Sequence, residues 1–107
     1  MADNRKYYYL KLKENFFDSD SIVLLEDMKD GILYSNILLK LYLKSLKNGG
    51  RLQLDEHIPY TAQMIATLTR HQIGTVERAL AIFQQLGLVE QLDCGLLYMT
   101  DIELMIG

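Results

Sequence analysis

Residues 57–100 read HIPYTAQMIATLTRHQIGTVERALAIFQQLGLVEQLDCGLLYMT. Thr61 is a good N-cap residue and stands directly before a short helical segment, 62–69. A turn follows at 70–74. The spacing of apolar residues predicts a second helix that runs to about Leu86 and is terminated by Gly87. These residues recur at the i, i+3, i+4, i+7 spacing of one helical face: Val76, Ala79, Leu80, Phe83 and Leu86.

The last part of this stretch predicts a β-hairpin. Leu88–Leu92 and Leu96–Thr100 are two short apolar-rich strands. They are joined by Asp93-Cys94-Gly95, with glycine where a left-handed conformation is needed. A helix, a turn, a second helix and a hairpin in this order predict a winged helix-turn-helix.

Upstream of this motif the sequence predicts a strand and two helices. Tyr7–Leu12 (YYYLKL) predicts a strand, and a short helix follows over about 22–29, after the N-cap residues of 18–21. A long helix over 32–47 is apolar nearly all round and ends at Asn48-Gly49-Gly50. Its polar stripe consists of Asn36, Lys40, Lys44 and Lys47. Such a stripe is typical of a solvated face, and a nucleic-acid patch is the alternative for its lysines. Arg51–Leu54 predicts a short strand.

These elements predict a mainly α fold with a small β-hairpin. Residues 1–30 form an N-terminal strand-helix extension, and residues 31–107 form the winged helix-turn-helix domain of the same compact unit. The chain ends in DIELMIG without a helix terminator or turn, so we expect further sequence to follow in a longer protein.

Charge limits how strongly such a domain can bind nucleic acid. The chain has 107 residues, a hydrophobic fraction of 50% and a net charge of −3. Residues 51–107 hold 3 basic against 7 acidic side chains, which counts against strong non-specific DNA binding. No apolar run is long enough for a membrane span, and the N-terminus lacks the features of a signal peptide. Cys94 is the single cysteine, so we expect a cytoplasmic protein.

The start of the second helix is the candidate DNA-reading element, since it enters the major groove in a helix-turn-helix. Gln can pair with adenine, Arg with guanine, and a Thr methyl group can contact thymine. Residues 57–76 contain no Asp or Glu. The hairpin, in contrast, carries Glu90 and Asp93, which repel phosphate. The candidate base and phosphate contacts are Thr61, Thr69, Arg70, His71, Gln72, Thr75 and Arg78.

The N-terminal strand predicts self-association, because an apolar edge strand can pair with a second subunit. The residues assigned to this contact are Tyr7, Tyr8, Tyr9, Leu10 and Leu12. A stacking platform for single-stranded nucleic acid is the alternative reading of the three tyrosines. His57 and His71 lack a second pair of metal ligands, and no hydrolase, phosphate-loop or metalloprotease motif occurs. We therefore expect no metal, no cofactor and no enzymatic activity.

Two segments resemble a known family. KLKENFFDSD (11–20) and GTVERAL-x₆-GLV (74–89), with the sequence between and around them, resemble the N-terminal domain of phage replisome organisers, over about Lys6 to Ile106. These proteins are related to the DnaD-like primosome proteins of Gram-positive bacteria. The resemblance implies a phage or prophage protein that initiates DNA replication in the bacterial host, recognises origin duplex DNA and recruits the host helicase or its loader. In the DnaD-like relatives the N-terminal winged helix serves largely for self-association, and later segments often make the DNA contacts. The resemblance therefore also implies that the N-terminal extension contributes to dimers.

Two other functions remain open from the sequence. A winged helix can serve as a protein scaffold that never contacts DNA, and it can serve in a transcriptional regulator. The acidic hairpin favours the scaffold, or DNA binding that depends on oligomerisation.

Overall fold

Four helices and two pairs of short antiparallel strands make up residues 8–106, the part of the chain that our computed structural model describes. The helices are α1 (Asp20–Asp27), α2 (Gly31–Ser45), α3 (Ala62–Thr69) and α4 (Ile73–Gln85). The strands are β1 (Gln53–Asp55), β2 (Ile58–Pro59), β3 (Val89–Gln91) and β4 (Leu97–Met99). Short 3₁₀ turns lie at Phe16–Asp18, Leu46–Asn48 and Ile102–Leu104. The predicted mainly α fold with a small β-hairpin is confirmed.

Helix α2 lies at the centre of the core, as its nearly continuous apolar surface requires. Ile37, Leu38, Leu41 and Tyr42 are at most 1% exposed. Helices α1, α3 and α4 and strand β4 all pack against α2. Ile22 and Leu25 of α1 are buried in the same core as the motif of residues 57–100.

A sharp turn joins α1 to α2. Asp30 has left-handed backbone angles (φ 64°), and the Gly31 N–H donates to the Met28 carbonyl at 2.8 Å. The first turn of α2 therefore starts against the end of α1, so closely that only a residue without a side chain fits at position 31.

The predicted hairpin is present, with Val89 opposite Met99 and Gln91 opposite Leu97. Gly95 has the expected positive φ, 85°. A feature that the sequence did not predict is the small β1–β2 ribbon, which forms because the chain reverses direction between Asp55 and Ile58. The segment before it reaches the hairpin, since Arg51 forms a β-bridge with Tyr98.

Two predicted strands are corrected by the structure. No strand forms at Tyr8–Leu12, and Tyr7 lies outside the described residues. Leu10 instead forms a single β-bridge with Ile106, and the Lys11 N–H donates to the Met105 carbonyl at 2.7 Å. The pairing stops there because the C-terminal segment opposite turns into a 3₁₀ helix. The strand predicted at Arg51–Leu54 begins two residues later, at Gln53, and ends at Asp55.

Thr61 caps α3 as predicted, and its Oγ1 accepts a hydrogen bond from the Met64 N–H at 3.1 Å. We expect Thr61→Ala to lower the free energy of unfolding by about 1 kcal/mol, because this N–H loses its partner. Urea denaturation followed by circular dichroism measures the change. Thr67→Ala is the matched control, since Thr67 is exposed and, among residues 8–106, its hydroxyl bonds just to the Gln63 carbonyl of its own helix. It should change stability by less than about 0.5 kcal/mol. Equal losses in both variants would contradict the capping role.

Candidate nucleic-acid interface

The turn between α3 and α4 orients the start of α4. Arg70 ends α3 with left-handed backbone angles (φ 62°), and the His71 N–H donates to the Ala66 carbonyl at 3.1 Å. Gln72 is then the N-cap residue of α4, with an extended backbone. The turn therefore takes only three residues, 70–72, and it leaves the side chains of Arg70 and Gln72 exposed.

Two polar residues of α2 hold this turn in place. Lys40 Nζ donates to the Thr69 carbonyl at 2.7 Å, at the C-terminal end of α3. A cation at this end of a helix also interacts favourably with the helix dipole. One turn earlier on α2, Asn36 Oδ1 lies 2.8 Å from His71 Nε2. The first half of the polar stripe on α2 thus anchors the motif and is not merely a solvated face.

Burial and the nearby Lys40 both favour the neutral form of His71. Partial burial lowers the pKa of the imidazole, and the nearby Lys40 ammonium lowers it further. A neutral ring whose Nε2 faces Asn36 Oδ1 donates its proton to that amide oxygen. His71 is therefore better suited to positioning the turn than to contacting a phosphate as a cation.

Two of the predicted contact residues face the core. Thr69 is fully buried, and its hydroxyl donates to the Ile65 carbonyl at 2.7 Å. Thr75 is 7% exposed. Because a buried side chain cannot reach a phosphate or a base, the structure removes Thr69 and Thr75 from the candidate surface. Thr61 remains exposed, with its Oγ1 engaged in the α3 cap.

The remaining candidates lie together around the start of α4. The side chains of Arg70, Gln72 and Arg78 are exposed, and Gln72 makes no capping bond that would occupy its amide. Arg78 Nη2 lies 4.0 Å from Asp30 Oδ2, in a pair whose side chains are 58% and 38% exposed. An exposed ion pair of this length is weak, about 0–1 kcal/mol, so the guanidinium can exchange partners.

The hairpin tip keeps the acidity predicted for it. Glu90, Asp93 and Cys94 are all exposed, and Cys94 is a free thiol.

Within residues 8–106 no three potential metal ligands come together. In that same range no helix is long and apolar enough to cross a bilayer.

Sequence reasoning missed Asp30, Asn36 and Lys40 as neighbours of the site. The i, i+4 spacing of Asn36 and Lys40 on an apolar helix was a usable signal that this face meets something polar. Nothing local indicated that Asp30 approaches Arg78, because the contact depends on how α4 packs against α2.

Comparison with known proteins assigns a family. A profile of the family described as N-terminal phage replisome organiser matches residues 9–107. No curated protein and no solved structure gives a significant match.

Proposed function

This chain belongs to the N-terminal phage replisome organiser family and so has a role in phage DNA replication; we propose that it contacts origin duplex DNA. It is a winged helix-turn-helix domain, and the start of α4 makes the contact. It acts by binding and not by catalysis, in the cytoplasm of the bacterial host. Its further partners are a second copy of itself and the host helicase or helicase loader.

One observation carries the DNA contact. Arg70, Gln72 and Arg78 are exposed around the start of the second motif helix. Residues 57–76, which include the first two of these side chains, contain no acidic residue, whereas Arg78 follows Glu77 and pairs with Asp30. Gln and Arg are the side chains that read adenine and guanine by paired hydrogen bonds. The arrangement suits major-groove contact by the start of α4.

Self-association compensates for the unfavourable charge. The net charge of −3 and the acidic hairpin weaken the contact of one copy with phosphate. A dimer makes the second contact intramolecular and so raises the overall affinity. Tyr8, Tyr9 and Leu12 are exposed and remain available for this contact, whereas Leu10 is half-buried against its own chain.

A protein scaffold without DNA contact is the second candidate, favoured by exposed apolar side chains on α1 and α2: Val23, Leu24, Ile32 and Leu43. Light scattering with and without duplex from the phage replication region separates the two. A DNA-binding domain gives a heavier species on adding duplex. A scaffold gives a dimer or larger species that duplex leaves unchanged.

Asp30→Asn should tighten duplex binding by up to about fivefold, because it releases Arg78 from an exposed pair and removes one negative charge beside the proposed contact. Asparagine tolerates the left-handed backbone at this position, and the Asp30 side chain makes no capping bond that would be lost. Fluorescence anisotropy with labelled origin duplex at fixed salt measures the change.

Asp27→Asn is the matched control, since Asp27 is an exposed acid of α1 with no ion-pair partner among residues 8–106. We expect it to change the affinity less than Asp30→Asn does. Equal tightening by both variants would show a general charge effect and count against the role of Arg78.

A further inference from the structure

A groove of about 490 Å³ lies between the C-terminal end of α2 and strand β1. It is lined by Tyr8 and Tyr60, by Lys44 and Lys47, and by Leu43 and Leu54 among others. None of its lining residues belongs to α3, α4 or the turn between them. The groove is therefore distinct from the proposed duplex contact.

The charge of the groove is the opposite of the charge of the chain. Its lining contains two lysines and no acidic residue, in a chain of net charge −3. Lys44 and Lys47 are exposed; Lys44 lies in the last turn of α2, and Lys47 lies in the 3₁₀ turn that follows it. Unlike Lys40, neither has a hydrogen-bond or ion-pair partner among residues 8–106. Asp55 and Glu56 lie at the nearby β1–β2 turn but do not line the groove.

The rest of the lining includes two tyrosines and several leucines. Tyr8 is about half exposed (48%), and Leu43 and Leu54 are exposed to a similar extent, 54% and 58%. Tyr60 is half-buried, and its backbone N–H donates to the Leu52 carbonyl at 3.0 Å, which fixes its position. Surface of this kind suits flat apolar groups that can stack on tyrosine.

We infer that this groove binds single-stranded DNA, with Lys44 and Lys47 on the phosphates and Tyr8 and Tyr60 beside the bases. Cations next to aromatic rings are the combination that binds a single strand without sequence preference. A duplex offers the same phosphates, but its bases are stacked inside and cannot reach the tyrosines. A domain with both surfaces contacts duplex at one and an opened strand at the other.

The charge part of the inference is tested by fluorescence anisotropy of a labelled oligothymidylate on the whole chain, over a series of salt concentrations. Lys44→Glu/Lys47→Glu should weaken binding about tenfold or more at low salt. It should also reduce the slope of log affinity against log salt by about 1.4, from two phosphate contacts. The matched control is Lys11→Glu/Lys13→Glu, which makes the same charge change at two exposed lysines outside the groove. Equal losses in the two double variants would overturn the inference.

The stacking part is tested with Tyr8 and with a second exposed aromatic residue that lies outside the groove. Tyr8→Ala should weaken binding of the single strand about fivefold or more, and Tyr8→Phe should retain it, because stacking needs the ring and not the hydroxyl. Phe17→Ala is the control, since Phe17 is 46% exposed and does not line the groove. If Phe17→Ala weakens binding as much as Tyr8→Ala, the groove is not the site.

The choice between single strand and duplex is tested with a duplex of the same length. We expect the groove variants to weaken binding of the single strand more than binding of the duplex, and Arg78→Ala to do the reverse. Absence of binding to the oligothymidylate overturns the groove inference and leaves the duplex proposal standing. If the groove variants weaken binding of the single strand and of the duplex equally, the inference is also overturned. The groove would then contact phosphates alone and not bases.

Discussion

Gly31→Ala should lower the free energy of unfolding by about 3 kcal/mol or more, the upper range for forcing extra volume into a packed site. A Cβ atom at position 31 would lie 2.5 Å from the carbonyl oxygens of both Leu25 and Glu26. These atoms are backbone, so no side-chain rotation can relieve the clash. Helix α1 would have to move away from α2, and this would expose Ile22 and Leu25, which are at most 2% exposed in the fold.

Gly74→Ala is the matched control, since Gly74 lies in the first turn of α4 as Gly31 does in that of α2. A Cβ at Gly74 would meet only Arg78 Nη1, at 3.5 Å, which is an ordinary contact. The free energy of unfolding of this variant should therefore rise by about 0.5–1 kcal/mol, because alanine has a better helix propensity than glycine. Urea denaturation followed by circular dichroism measures both. A Gly31→Ala variant as stable as the parent would show that α1 is not packed this closely on α2.

The helices of the motif were predictable because their sequence signals are local. Thr61 caps α3 and the apolar period of α4 identifies its buried face, so both helices form within one or two residues of the predicted bounds. Leu10 shows where local signals stop. Whether an aromatic-rich segment forms a strand depends on its partner, and the partner here is a bridge at Ile106, 96 residues away.

The candidate site was predictable only in part. Thr69 lies four residues after Ile65, and Thr75 four residues before Ala79, so the helical period itself places both threonines on buried faces. The chemistry of the two side chains suggested DNA contacts, but their spacing already argued against exposure. The contacts of Lys40 with Thr69 and of Asp30 with Arg78 join different helices and required the packed structure.

Arg78→Ala should weaken binding to the cognate duplex by about 1–3 kcal/mol, or about 5- to 150-fold, and should relax its sequence preference. The Arg78 side chain is 58% exposed, and among residues 8–106 its one ion-pair partner is the exposed Asp30. Its planar guanidinium can therefore turn to a guanine edge and form two hydrogen bonds there. Arg51→Ala is the charge-matched control. Arg51 is exposed and lies outside α4, and its backbone bridges Tyr98 of the hairpin.

Arg78→Lys separates base reading from simple attraction to phosphate. Lysine keeps the charge but cannot form the paired hydrogen bonds of a guanidinium. If Arg78 contacts a base, Arg78→Lys should therefore lose nearly as much sequence preference as Arg78→Ala. Unchanged affinity of Arg78→Ala at controlled salt would refute the contact altogether. Combining it with Asp30→Asn completes a double-mutant cycle: if Asp30 restrains duplex binding through Arg78, the gain from Asp30→Asn should largely disappear once the arginine is absent.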